Sequence, residues 1–267
     1  MTVIDALAAL LASPLLTAGE LHEDPEAVRA RFGLSEEELE LLAGVPDEAY
    51  ARVSLDVAAK HRLVVAQAMP ETVTEVTARH RGFLEDYLTG TVRRPHPDDP
   101  VGTERAAEAF LEQAAGRIPP GLVEFGRFEL ERFRLRRDEI AADAARHWHE
   151  NGARWQRGLD EAWIDHGVPV VPATVLVVSY DYDVTAPDAP ADLPEVPVTV
   201  ALQRVWREPV RAYRLDSGTR DLLAKCDGTR TAPRAAADAG AHPSQASAVL
   251  LALARAGLLV PRGGPQA

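Results

Sequence analysis

Apolar residues in the first half of the chain recur at intervals of three and four, the mark of helices with one buried side, whereas beyond Pro169 they alternate with polar ones as in half-buried strands. Residues 3–18 place Ile4, Leu7, Leu10 and Leu11 on one side of a helix that ends near Gly19. Pro25 stands in the first turn of the next helix, Gly33 breaks it, and Ser35 followed by Glu38 is a capping box for another. Residues 47–69 and 71–89 each read as one helix, separated by Pro70, which disfavours helical geometry in the residue before it. On the second of these, Val73, Val76, His80, Phe83 and Tyr87 form one continuous stripe, so His80 reads as a core or interface histidine with a hydrogen-bond partner. The proline-rich stretch 93–102, with His96, reads as an exposed connector to a helix over residues 103–117. Pro119-Pro120 starts a long helix through Phe125, Phe128, Phe133 and Ile140 to about Asn151, apolar on more than one face, which implies burial on two sides or contact with a partner.

Residues 169–184 read as a strand in which Val175 and Val177 alternate with Thr174, Leu176 and Val178, and Asp181 and Asp183 share a solvated face. Residues 187–197, with four prolines and three acids, form an extended linker. Val198, Val200 and Leu202 mark the next strand, and Val210 to Leu215 return beside it. A two-residue turn at Arg207-Glu208 sets Leu202 opposite Tyr213, Val200 opposite Leu215 and Arg204 opposite Arg211, with the four apolar residues on one face. Asp216 or Ser217 caps a helix reaching Ala224, Asp227-Gly228 is a turn, and Thr231 caps a short helix ending at Gly240. Pro243-Ser244 opens a third helix with Val249, Leu250, Leu253 and Leu258 on its apolar side, and Gly257 fits a C-terminal position of positive φ. The pattern predicts an α+β protein, with an all-α domain over residues 1–165 and, over 166–262, a three-stranded antiparallel sheet with three helices.

The chain has 267 residues, 46% of them hydrophobic, enough for a sizeable core and for two domains. The longest uncharged apolar run, residues 167–180, holds two prolines and is shorter than the ~20 residues that span a bilayer. The start of the chain carries Asp5 and no basic flank, unlike a signal peptide, so a cytoplasmic protein is expected. Net charge is −12, yet residues 196–260 hold nine Lys or Arg against five Asp or Glu, a net of +4. The acidity of the N-terminal portion repels nucleic acid and anionic membranes, while the basic module can attract an acidic ligand. Cys226, the single cysteine, has no partner for an intrachain disulfide and reads as a small buried hydrophobe. His147 and His149 are two apart and point in different directions on a helix, without a third ligand at sensible spacing, so no metal site is expected. A phosphate-cradling glycine loop and a GxSxG elbow are both missing from the sequence, and no catalytic residue is assigned.

The hairpin over residues 198–215, the string LLAKCDGTRT at 222–231 and the closing AGLLV at 256–260 resemble the PqqD-like winged helix-turn-helix, the element that recognises leader peptides of ribosomally made, post-translationally modified peptides. With a helical domain before it that contains FELERFRLR at 128–136, the whole chain resembles the partner subunits of multinuclear non-heme iron oxidative enzymes in peptide natural-product pathways. The resemblance implies residues 1–165 as a partner-binding helical domain and 166–262 as the winged helix-turn-helix. It further implies no cofactor in this chain, iron in a separate TIM-barrel enzyme that forms a heterodimer with it, and a precursor leader peptide as the second partner, without nucleic acid or membrane.

In such elements the leader adds as a strand to a sheet edge, with backbone hydrogen bonds giving affinity and side-chain pockets giving register. Carried onto this sequence, the edge is Val210, Arg211, Ala212, Tyr213 and Arg214, the groove wall runs from Gln245 through Val249 to Leu253, and Arg204 beside Arg211 either meets an acidic leader residue or splays with it into water at the hairpin end. The stripe of His80 and the phenylalanine helix would supply the surface for the enzyme. Two other readings stay open. A winged helix can bind DNA, though residues 244–257 carry Arg255 alone as a basic side chain for phosphates and base edges. A stand-alone enzyme would need a catalytic constellation that the sequence does not display.

Overall fold

The computed structural model describes residues 3–12, 21–90, 100–157, 159, 163, 166–186 and 190–262. Expected features at 13–19, most of the 93–102 connector with His96, and the start of the 187–197 linker lie outside the described residues. Helix and sheet are both present, and the chain separates into two compact units, Met1–Leu130 and Glu131–Ala267. The second unit thus takes in helical residues that the sequence reading places in the helical domain.

The elements among the described residues of the first unit are all helices: α1 Val3–Ala12, α2 Pro25–Phe32, α3 Glu36–Ala43, α4 Asp47–Ala68, α5 Pro70–Arg79, α6 Arg81–Gly90, α7 Pro100–Ala114 and the N-terminal part of α8 Pro120–Arg137. The capping box forms with both arms, Ser35 Oγ accepting from the Glu38 N–H at 3.1 Å and Glu38 accepting from the Ser35 N–H at 2.8 Å. Gly33 closes α2 in the left-handed region at φ 65°. Leu10, Phe32, Leu42 and Tyr50 centre one core cluster over α1–α4, where the Tyr50 hydroxyl donates to the Leu42 carbonyl at 2.7 Å.

The continuous helix expected over 71–89 is two helices. His80 leaves helical geometry at φ −129°, ψ 40°, and it is only half buried. The bend lets Phe83 and Tyr87 stack edge-on against Phe110, with ring centroids 5.3 and 5.0 Å apart. The buried histidine of this region is His61 on α4, whose Nε2 lies 3.3 Å from the Tyr87 hydroxyl. Phe83, Tyr87, Phe125, Phe128 and Phe133 are all buried, so the stripe and the phenylalanine helix are core rather than the free apolar surface expected for a partner.

At the N-terminus of α5, the Glu129 carboxylate of α8 accepts from the N–H groups of Glu71 (2.9 Å) and Thr72 (2.8 Å) and from the Thr72 hydroxyl (2.6 Å). It caps from a distance the helix that Met69 leaves without a side-chain cap. Burial pushes its pKa up, against these three hydrogen bonds, which lower it.

In the second unit the long helix expected to reach Asn151 is interrupted at Asp138. The Asp138 N–H ends α8 on the Arg134 carbonyl at 2.9 Å, while its carboxylate accepts from the Ala141 N–H at 2.9 Å and caps α9, Glu139–Arg157. Strands β1 Pro169–Val170, β2 Val175–Tyr180, β3 Val198–Gln203 and β4 Arg211–Leu215 follow, then helices α10 Ser217–Leu223, α11 Ala232–Asp238 and α12 Pro243–Arg255, and β5 Val260–Pro261. An antiparallel sheet orders β2-β3-β4, and β1 pairs with β5. Asp216 caps α10 through the Thr219 N–H, Gly228 and Gly257 both have φ of 76°, and Cys226 is buried with its thiol pushed up to about 12 by burial.

The register is shifted by one residue from the expected one. Ala201 faces Tyr213, Thr199 faces Leu215 and Gln203 faces Arg211. The cause is the connection: residues 204–210 form a wide loop with Arg207 at φ 58°, the Arg204 N–H leaves the hairpin for the Thr174 carbonyl at 2.8 Å, and Pro209 offers no N–H to prolong the ladder. Tyr213 and Leu215 therefore share a face with Ala201, Val175 and Val177 and pack with α10–α12, while Val200 and Leu202 lie on the opposite face. Every residue of β3 is buried, so both faces of the central strand are covered, not the single face expected.

Candidate functional site

At the end of the sheet where the chain turns from β3 to β4, a cavity of about 300 Å³ opens between α9, the sheet and the C-terminus of α12. Gln203 holds its base: the side-chain amide donates to the Ala256 carbonyl at 2.9 Å and its oxygen accepts from the Tyr213 hydroxyl at 3.1 Å. Gly257 allows this closeness, since a Cβ there would stand 2.9 Å from Gln203 Nε2 and 3.3 Å from the Trp148 ring. Two indoles, Trp148 of α9 and Trp206 of the loop, form walls, and the guanidinium groups of Arg146 and Arg207 lie 6.0 and 5.6 Å from the Trp206 ring centre. Arg204, Arg211 and Arg255 complete the lining, in which no described residue carries a carboxylate.

The structure brings some of the expected site residues together here and sends others elsewhere. Arg211 and Tyr213, both on β4, and Arg204 line the cavity. Arg204 is not opposite Arg211, however, so the expected like-charge pair across the hairpin does not exist. Its guanidinium donates to the carbonyls of Leu135 (3.0 Å) and Asp138 (2.9 Å), satisfying the end of α8, and burial lowers its pKa. Arg211 pairs with Glu208 at 2.6 Å, which raises its pKa first by that hydrogen bond. Arg214 pairs with Asp183, whose carboxylate also accepts from the Thr185 hydroxyl at 2.6 Å. Burial alone would raise the Asp183 carboxyl, but the Thr185 hydrogen bonds and Arg214 together hold it below the ordinary range. The solvated strand face expected for Asp181 and Asp183 is thus corrected: β2 ends at Tyr180 and Asp183 is buried.

Val210 is buried, Ala212 is exposed on β4, and β4 is an edge strand among the described residues. On α12, Gln245 is exposed, Val249 is half buried against the core, and Leu253 is 7% exposed within it. Leu253 therefore cannot serve as a groove wall, because the helical face that carries it is turned onto α10 and α11. Trp148 and Trp206 are cavity residues that the sequence reading passes over, and Arg255, weighed there only as a contact to DNA, joins them. The clue was available in the tryptophan of VWRE, set between basic residues, and in the tryptophan between His147 and His149, whose own side chains are exposed.

Among the described residues, no three His, Cys, Asp or Glu side chains are grouped to hold a metal ion, and no helix is long and apolar enough to cross a membrane. Comparison with protein-family models gives no match, and none of the curated proteins matches the chain.

Proposed function

We propose that this chain is a non-catalytic accessory subunit that binds the leader of a ribosomally synthesised precursor peptide and presents it to a separate iron-dependent oxidative enzyme. In this reading β2–β4 with α10–α12 are a PqqD-like winged helix-turn-helix, and the first unit with its neighbouring helices serves the enzyme. The observation that carries the reading is β4. It is an edge strand with exposed Arg211, Ala212 and Arg214, and its Tyr213 packs onto the same apolar cluster as the half-buried Val249 of α12. A peptide laid along β4 gains backbone hydrogen bonds from the edge and apolar contact from Tyr213 and Val249.

The test is fluorescence anisotropy with the labelled N-terminal segment of a precursor peptide encoded beside this chain, using wild type and Ala212→Pro. Saturable binding that weakens about tenfold or more in the variant, with the melting temperature tracked in parallel, is expected, because a proline on the edge removes a donor and distorts the strand. Equal affinity in both proteins would remove β4 from the reading, and salt-dependent retention on DNA with no peptide binding would replace it with the regulator.

A further inference from the structure

We propose that the cavity beside β4 is a carboxylate pocket that takes one acidic side chain of an extended peptide, and so selects peptides with an acidic residue two positions from an apolar one. The inference rests on the reading of β4 as the peptide-pairing edge and adds what that edge selects.

The charge is the first argument. Arg204, Arg211 and Arg255 line one space of about 300 Å³ whose described lining has no acid, and the Arg204 guanidinium is held there by the neutral carbonyls of Leu135 and Asp138. Glu208 holds Arg211 from outside that lining, but both members of this pair are about half exposed, and such pairs contribute little, so an incoming carboxylate can join or replace it. The shape is the second argument. Trp148 and Trp206 give the cavity flat apolar walls, and its volume lies at the small end of ligand pockets, suited to a side chain rather than a cofactor.

Register is the third. Arg211 and Tyr213 are two apart on β4 and face the same side of the sheet, the side of Gln203 and Ala201. A strand added to β4 places the residue opposite Arg211 on that same side, with Cβ atoms about 5 Å apart. An aspartate or glutamate there enters the cavity, and the residue two positions away meets Tyr213 and the apolar cluster. Carboxylate–guanidinium hydrogen bonds are charge-assisted, and their geometry favours arginine over lysine.

The probe is a short fluorescein-labelled peptide of alternating valine and threonine with one glutamate two residues from a leucine, compared with its glutamine twin and with free glutarate as competitor. The glutamate peptide should bind about tenfold or more tighter than the glutamine twin, since hydrogen bonds between charged groups in a partly desolvated site have that weight. This preference should vanish in Arg255→Gln and shrink as ionic strength rises. Equal binding of the two peptides, or a preference that survives the Arg211→Gln, Arg255→Gln double variant, overturns the carboxylate pocket while leaving edge pairing intact. A glutamate preference that Ala212→Pro leaves unchanged removes the edge reading and keeps the pocket. Glutarate competing at the concentrations at which the peptide binds would overturn the peptide as occupant and assign the pocket to a free carboxylate.

Discussion

Glu129 and the arginine-lined cavity are opposite solutions to the same electrostatic problem. Glu129 is 4% exposed, and the chain itself supplies its three donors, two from the start of α5 and one from the Thr72 hydroxyl. Those donors offset part of the desolvation of that carboxylate, and burial still leaves its pKa raised. The cavity instead is lined by Arg204, Arg211 and Arg255 with no carboxylate in its described lining, Arg204 being held by two carbonyls and Arg211 by Glu208 from outside that lining. A carboxylate surrounded by donors of its own chain organises the fold, whereas arginines held only by carbonyls or by a half-exposed pair, as Arg204 and Arg211 are, leave room for a ligand's carboxylate to join them.

The largest effect should follow from breaking the first arrangement. Glu129→Ala leaves two N–H groups and a hydroxyl without their acceptor in the core, and should cost about 3 kcal/mol. Glu129→Gln, which keeps one oxygen but turns an amide N–H2 toward a donor, should cost about 1 kcal/mol. Urea midpoints measure both, and losses below half a kcal/mol would show that the cap is incidental.

Gly257→Ala probes the cavity with a smaller change. Its φ of 76° strains any Cβ, and the added methyl meets Gln203 and Trp148, so a loss of about 1–2 kcal/mol together with weaker probe-peptide binding is expected. Gly240→Ala is the control, with φ of 68° but no atom within 4 Å of the new methyl, and should cost less and leave peptide binding alone.

The two units should also respond to pH in opposite directions. The folded pKa of Glu129 lies above its unfolded value, so its contribution is fully present below the unfolded value and is lost as pH rises through the folded one. For Asp183 the folded pKa lies below, so its contribution is present above the unfolded value and is lost as pH falls through the folded one. Melting curves of Glu129→Gln and Asp183→Asn against wild type should each flatten the matching limb. The smallest effect is expected at Leu41→Gln and Ile140→Thr, 70% and 72% exposed, whose unfolding free energies should stay within about 0.5 kcal/mol of wild type.

Signals that act within a few residues are legible in the sequence. The capping box at Ser35 and Glu38, the Asp216 cap, the turn at Gly228 and the positive φ at Gly257 all follow from local backbone chemistry, and the structure has each of them. Strands β2, β3 and β4 and helices α10, α11 and α12 are legible for the same reason. What escapes is set by distant partners. The cap of α5 comes from Glu129, far along the chain, and the strand register is fixed by the Arg204 N–H finding Thr174. The helix break at Asp138 is an intermediate case. Its side chain is an ordinary cap signal, but the apolar stripe on both sides hides it. The candidate site suffers most, since Trp148, Tyr213 and Arg255 meet in the cavity from three separate elements and share no sequence pattern.

The pairing of β1 with β5 has a consequence for how the protein is made. Pro169 meets Pro261 and Val170 meets Val260, while Val170 also bridges to Asp227. The links between β1 and β5 join residues roughly ninety positions apart, a separation that slows folding because the intervening loop must close before the contact gives anything back. During synthesis, the first unit can complete its helices while the second still waits for residue 261 to emerge. In that interval Pro169 and Val170 lack the strand that pairs with them in the finished protein.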